Sequence, residues 1–401
     1  MSERELTPTE ALSQVNKIIN ELGLNAVTRY TSRNRLVATA ELFDKNNNLI
    51  ESGAGKGPDS LIGALAESIE HYSTFQPHIG DLHHHRCDFI ATQKHSECEG
   101  LLSSLPRTGE KIECFKLTTL DKREELYIPS ILLCPKNAER FSTNRSPDVQ
   151  YLARYSSNSG IAFGCTEAEA LLHGTHEVIE RHILSCFFMA VCSIGPAMDL
   201  YTPSEELLAS ALQDNPSAIE SANKLQIIVI KDMLGVYFTV AFPKAGPGDL
   251  HISPIGSGCS LDIRTAIQRA TTEQFQSHSL YGIAEEAIDK ITLELLSSSD
   301  KLKCLIGFAH IRSLSLPSLD QPLTDFTASV PQQLQTLQNN LLREGKTIFH
   351  RTVARYSGNN VVSQCYVPGL ERFNIIRNGC LVAPQHILRK TSKSLHLEQQ
   401  K

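Results

Sequence analysis

Apolar and polar positions alternate with two periods along the chain, and the switches between them mark its elements. Thr7-Pro8-Thr9-Glu10 combines a capping hydroxyl, a first-turn proline and a capping-box acid. A helix is expected from there to about Leu22, with Gly23 ending it. Arg35–Phe43 reads as a strand, Asp44–Asn48 as a turn, and Leu49–Ser52 as the start of a return strand. GAGKG (53–57) then reads as a glycine-rich turn before a helix from about Pro58 to Phe75. Residues 76–123 read as short strands and loops. Leu126–Cys134 reads as a strand with Pro129 at an edge or bulge, and 135–150 as a polar loop. SSNSG (156–160) is a turn, and Gly160 to about Val191 reads as one long amphipathic helix. Thr202-Pro203-Ser204-Glu205 predicts another helix start. Leu225–Asp232 and Gly235–Pro243 predict strands, and a GSG turn (256–258) precedes a helix over Leu261–Tyr281. A helix at Gln332–Arg343 and strands near Thr347–Val353 and Val361–Val367 follow, and the tail LHLEQQK reads as frayed. Strand pairs mixed with helices imply an α+β or mixed α/β fold.

Composition narrows the function classes. A chain of 401 residues can build two or three subdomains around a large core. Its net charge of -6 argues against a general nucleic-acid binder. Eleven cysteines are scattered without a CxxC pair, the first residues have no apolar signal core, and no apolar run approaches a membrane span. These features read as a cytoplasmic protein with reduced thiols. Cys165 reads as structural. His83-His84-His85 reads as an exposed loop rather than a metal site, because consecutive residues point in different directions.

The chemistry lies in three helices. At about 100° per residue, Glu169, His173, Glu177, Glu180 and Arg181 fall within an arc of about 120°, with Glu167 outside it toward solvent. Ala168, Leu171, Leu172, Val178, Ile179 and Ile183 form the core stripe of the same helix. Glu67 and Glu70 sit one turn apart in LIGALAESIEHY, as do Glu273 and Gln276 in RTAIQRATTEQFQ. Each of these helices follows a small, glycine-containing turn. A merely solvated acidic face would cost only a few tenths of a kcal/mol per like-charged pair. Three recurrences instead point to carboxylates sharing Mg2+ ions that also bind a substrate's phosphates. Lys56 and Arg181 are then the phosphate-holding cations. GAGKG is not a Walker P-loop: Gly57 stands where Ser or Thr is needed, and Ile50 where the first glycine is needed. A carboxylate-bridged dimetal site using Glu177, Glu180, His173 and His176 is the rival reading; it lacks the paired Glu-x-x-His motifs of that architecture.

These motifs together resemble the YcaO family. The residues are Lys56 with Glu67 and Glu70; SNSGIAFG with Glu169, Glu177, Glu180 and Arg181; and Arg269 with Glu273 and Gln276. The likeness covers roughly residues 30–380. It implies a YcaO-like fold with antiparallel or mixed sheets and acidic helices converging on a nucleotide site. The implied division is an extension at 1–29, a catalytic domain at 30–385 and a tail at 386–401. The resemblance implies ATP and Mg2+ as cofactors, with Glu67, Glu70, Glu169, Glu177, Glu180 and Glu273 as metal ligands. Lys56, Arg181 and Gln276 are implied as nucleotide contacts, with Arg29, Arg33 and Arg35 as further cations. The implied activity is phosphorylation of a backbone amide oxygen in a ribosomally made peptide, giving azoline rings. Thioamide formation with external sulfide, or a non-catalytic nucleotide-bound activator, are the alternatives. A precursor peptide, a leader-binding or sulfur-delivering partner and a homodimer are implied as well. Gly63 and His71 depart from the family's usual Ser and Arg, and the tail SLHLEQQK lacks the PxPxP pattern common in its cyclodehydratases.

Overall fold

The computed structural model describes residues 3–75, 82–105, 109–135, 147–320 and 327–389. Helix α1 (Pro8–Glu21) starts at a Thr7 cap with the expected capping box. The first sheet is antiparallel in the order β1-β2-β3, with β1 (Asn25–Tyr30), β2 (Val37–Phe43) and β3 (Leu49–Lys56). The sequence pattern missed β1, because it is an edge strand with both faces exposed and therefore carries no alternation. Helix α2 (Ser60–Phe75) lies across β2 and β3.

A second unit repeats this plan. Strands β9 (Leu225–Met233), β10 (Val236–Pro243) and β11 (Gly256–Ser260) form an antiparallel sheet in the order β11-β10-β9. It is covered by the helix Ile263–Ser279, called α4 below. The third main sheet is six-stranded and antiparallel. It contains β4 (Leu82–Arg86), β5 (Lys111–Thr119), β6 (Glu125–Pro129), β7 (Ile161–Gly164), β13 (Phe349–Arg355) and β14 (Val361–Tyr366). The 25-residue helix α3 (Glu167–Val191) packs on β7 and β14. Leu172, Ile179, Ile183, Phe187 and Phe188 drive α3 into the main core. Two short strands, β8 (Thr202–Pro203) and β12 (Ser318–Leu319), pair in parallel.

Several expectations need correction. GAGK and GSG are not turns but strand ends. A Cβ on Gly55 would overlap the Ser60 carbonyl oxygen, and one on Gly258 would overlap that of Ala266. These glycines let each acidic helix lie directly on its own strand. Gly160–Gly164 is likewise not helical: Gly160 turns at φ 88°, Ile161–Gly164 is strand, and Thr166 caps α3. The histidine run is strand β4 on a sheet edge rather than a loop. His83 and His85 lie against Tyr127, while His84 stands 3.9 Å from Glu113, so the run is split between faces. The strand at Leu126 ends at Pro129 and passes into a short helix (Ser130–Leu133). The cap predicted at Thr202 moves to Ser204, because Thr202 pairs in β8. Residues 136–146 of the expected polar loop and the tail from 390 lie outside the described residues.

Candidate nucleotide and metal site

The three acidic helices meet along one seam, and backbone groups fix their carboxylates. Glu67 accepts a hydrogen bond from the Ala54 N–H at 2.6 Å, within its own unit. Glu70 crosses to the central sheet and accepts from the Phe163 N–H at 2.6 Å. Glu177 accepts from the Gly160 N–H at 3.0 Å, across the turn that precedes its helix. Glu180 reaches the second unit, where the Ser257 hydroxyl donates to it at 2.7 Å. Lys56, at the end of β3, donates to Glu273 on α4 and ties the first unit to the second. These hydrogen bonds aim each side chain.

Arg181 lies among these acids, 3.7 Å from Glu177 and 3.5 Å from Glu180. Burial disfavours its charge, but Glu180, Glu273 and Glu177 outweigh burial and keep it firmly protonated. Burial likewise pushes Glu273 upward, yet the Lys56 and Arg181 cations hold it below the usual carboxylate range. Burial raises Glu177, with Glu180 adding to the effect and Arg181 opposing it. Glu70 is pushed up to about 8, first by burial, then by the charges of Glu67 and Glu177, against the bond from Phe163. Each of these shifts reports mutual proximity. Glu67, Glu70, Glu177, Glu180 and Glu273 therefore form one electrostatic neighbourhood, in which Lys56 and Arg181 are the cations.

Glu169 stands slightly apart. It is buried, Arg4 donates to its Oε1 at 2.7 Å, and its Oε2 has no hydrogen-bond partner. Gln276 lies one turn beyond Glu273 and is half-buried. Arg35 lines a recess of about 180 Å3 with Pro58, Gln268 and Thr272. Arg29, on the exposed β1 strand, donates to Thr39 of β2 instead. The buried thiol of Cys165 is pushed up to about 11, chiefly by burial, which suits a structural residue and not a nucleophile. His71, where the family usually has arginine, contacts the Ser52 carbonyl oxygen at 2.8 Å and stands 3.9 Å from Glu67.

Among the described residues, no three His, Cys, Asp or Glu side chains stand close enough together to hold a metal ion as they are. The dimetal reading loses its histidines: His173 and His176 face the carboxylate of Glu3, at 3.7 and 3.5 Å. The donor set nonetheless fits Mg2+. A carboxyl pushed up to about 8 by burial and then by the charges of Glu67 and Glu177, and an unpartnered buried oxygen on Glu169, both suit a cation. Mg2+ takes few protein carboxylates and completes its shell with water and substrate phosphates. Sequence reasoning overlooked Ser257, Ser260 and the segment Glu3–Glu5. Arg269, one turn before Glu273, was legible as part of a motif but not as a contact.

Three helices presenting carboxylates and two cations over a glycine-lined seam define a protein that handles a nucleotide together with a divalent ion. The chain belongs to the YcaO family: residues 53–371 match it, under the description YcaO cyclodehydratase, ATP- and Mg2+-binding. That matched domain is an ATP- and Mg2+-binding one. An uncharacterized protein of Methanothermobacter thermautotrophicus is 24% identical over 402 residues, covering 94% of this chain and 97% of that protein. The fold resembles a heterocyclase solved in complex with substrate and cofactor, with a TM-score of 0.61 and 19% identity. That match covers 92% of this chain but 54% of the heterocyclase, so this chain spans about half of its length. It also resembles YcaO from Methanopyrus kandleri bound with AMPPCP and Mg2+, with a TM-score of 0.59 and 15% identity, covering 95% and 96% of the two chains. Among the described residues, no helix is long and apolar enough to cross a membrane.

Proposed function

We propose that this protein uses ATP and Mg2+ to activate a backbone amide of a ribosomally made peptide, giving azoline rings. One observation carries the reading: carboxyls from three separate helices share a neighbourhood with Arg181 and Lys56. Glu67, Glu70, Glu169, Glu177, Glu180 and Glu273 are assigned to hold Mg2+. Bound Mg2+ supplies neutralising charge to the triphosphate. Arg181 and Lys56 are assigned to phosphate oxygens, with Lys56 leaving Glu273 when nucleotide arrives. Gln276 is assigned as a further nucleotide contact, and the recess lined by Arg35 offers space for the base or ribose.

An amide oxygen is a very poor leaving group. Transferring a phosphoryl group to it, after a Cys, Ser or Thr side chain has attacked the carbonyl carbon, lets phosphate depart instead. Arg181, already placed between Glu177 and Glu180, suits this chemistry because a cation fixed in advance needs little reorganisation to meet developing negative charge. The test is to incubate the protein with ATP, Mg2+ and Cys-containing precursor peptides, with and without leader-binding or sulfur-delivering partners, and to weigh the products. Loss of one water per modified residue supports azoline formation. Exchange of oxygen for sulfur would replace it with thioamide formation. An unchanged peptide under every combination would remove both.

A further inference from the structure

A cluster of polar and charged side chains continues the carboxylate seam by one helical turn, and the chain's own Glu3 fills it. Glu3 is 6% exposed. The Ser260 hydroxyl donates to its Oε1 at 2.6 Å, and Arg269 donates to its Oε2 at 2.5 Å. The rings of His173 and His176 stand 3.7 and 3.5 Å from the same Oε2. His173 also contacts the Glu3 carbonyl oxygen at 3.2 Å and the Arg269 guanidinium at 3.1 Å. The next residue, Arg4, donates to Glu169 at 2.7 Å. Glu5 accepts from the Thr166 hydroxyl, the cap of α3.

Position links this pocket to the seam. His173 precedes Glu177 by one turn on α3, and Arg269 precedes Glu273 by one turn on α4; a turn is about 5.4 Å. Ser260 and Ser257 share strand β11. The arm therefore puts a carboxylate against the Arg269 cation and a cation against the Glu169 carboxylate. Arg4 is close enough to influence Glu70 as well as Glu169. Its side chain is still 48% exposed, so this hold is open to solvent on one side. A metal–phosphate pair has the same alternation of charge.

We propose that Glu3–Arg4–Glu5 is an intramolecular occupant of the nucleotide–metal site, one that ATP with Mg2+ must displace. This rests on the nucleotide reading above. The Glu3 carboxylate competes with a phosphate oxyanion for Arg269 and its histidines. The Arg4 guanidinium competes with a divalent cation for Glu169. An occupied fraction lowers apparent affinity in proportion to the fraction left open.

The test compares the full-length protein with the double variant Glu3→Gln/Arg4→Gln. A fluorescent non-hydrolysable ATP analogue is titrated with Mg2+, and melting temperatures are recorded alongside. Release of the arm predicts binding at least about fivefold tighter in the variant. Equal or weaker binding by a folded variant would overturn the proposal, because an arm that only braces the fold would lower the melting temperature without improving affinity. Should the variant fail to fold, hydrogen exchange at residues 3–6 of the unaltered protein decides. Faster exchange at saturating analogue supports displacement, and unchanged protection overturns it. Binding with no difference between the two forms removes the arm's role and leaves the nucleotide reading standing. No binding by either form removes both.

Discussion

Lys56 and Glu273 are 217 residues apart and share a hydrogen bond that joins the first sheet–helix unit to the second. Glu273 is mostly buried and owes its lowered pKa to this ammonium and to Arg181, acting against burial. Replacing Lys56 by Met leaves a buried carboxylate with one cation fewer. The expected loss is about 2–3 kcal/mol, read as a lower melting temperature. ATP affinity should fall as well. An unchanged melting temperature would mean that the link contributes nothing to closing the seam.

Glu70 gives a pH signature. Its carboxyl titrates near 4.5 when unperturbed and at about 8 in the fold. Between those values the folded state keeps a proton that the unfolded chain has released, so stability falls as pH rises through this window. Glu70→Gln keeps the neutral form. It should be more stable than the unaltered protein at pH 8, by up to about 4 kcal/mol and with a higher melting temperature, and nearly alike at pH 4.5. A parallel offset at both pH values would contradict the assignment.

The same carboxyl should couple proton release to ligand binding. Mg2+ favours the ionised form, so binding of ATP with Mg2+ should tighten from pH 6 to pH 8. Calorimetry in buffers of different ionisation heat should detect about one proton released near pH 7. No buffer dependence would place Glu70 outside the metal's reach.

Glu180 and Ser257 should separate by degree. Glu180→Ala removes a proposed metal ligand and should abolish ATP turnover. Ser257→Ala removes only the hydroxyl that orients it, at 2.7 Å. A loss of about 2 kcal/mol, roughly thirtyfold in kcat/KM, is expected. Turnover surviving in Glu180→Ala would remove that residue from the cluster.

The glycines of the first unit should differ sharply. A methyl group on Gly55 would meet the Ser60 carbonyl oxygen, forcing α2 off its strand. Gly55→Ala should therefore fail to give a cooperative melt. Gly57 has open space around it but a φ of 85°, so Gly57→Ala should cost about 1–2 kcal/mol and still fold. Equal behaviour of the two would refute the close-packing account.

The sequence alone determined that the three acidic helices exist and which faces carry the acids, since those faces follow a 3.6-residue period. It also set the order of Lys56, Glu67, Glu70, Glu169, Glu177, Glu180, Arg181 and Glu273, from which the family likeness could be read. Periodicity is a local property, however, and three things were not local. The glycines of GAGK and GSG read as turns because a close approach between strand and helix leaves no mark beyond the missing side chain. The exposed β1 strand had no buried face to impose alternation. Most of all, the partners of Glu70, Glu180 and Glu3 lie 93, 77 and 257 residues away in the chain. Only the packing of three sheets decided that Glu70 reaches Phe163, that Ser257 orients Glu180, and that Glu3–Glu5 lies beside the site. Charge tells a residue what kind of partner it needs, but the fold decides which partner lies within hydrogen-bonding reach.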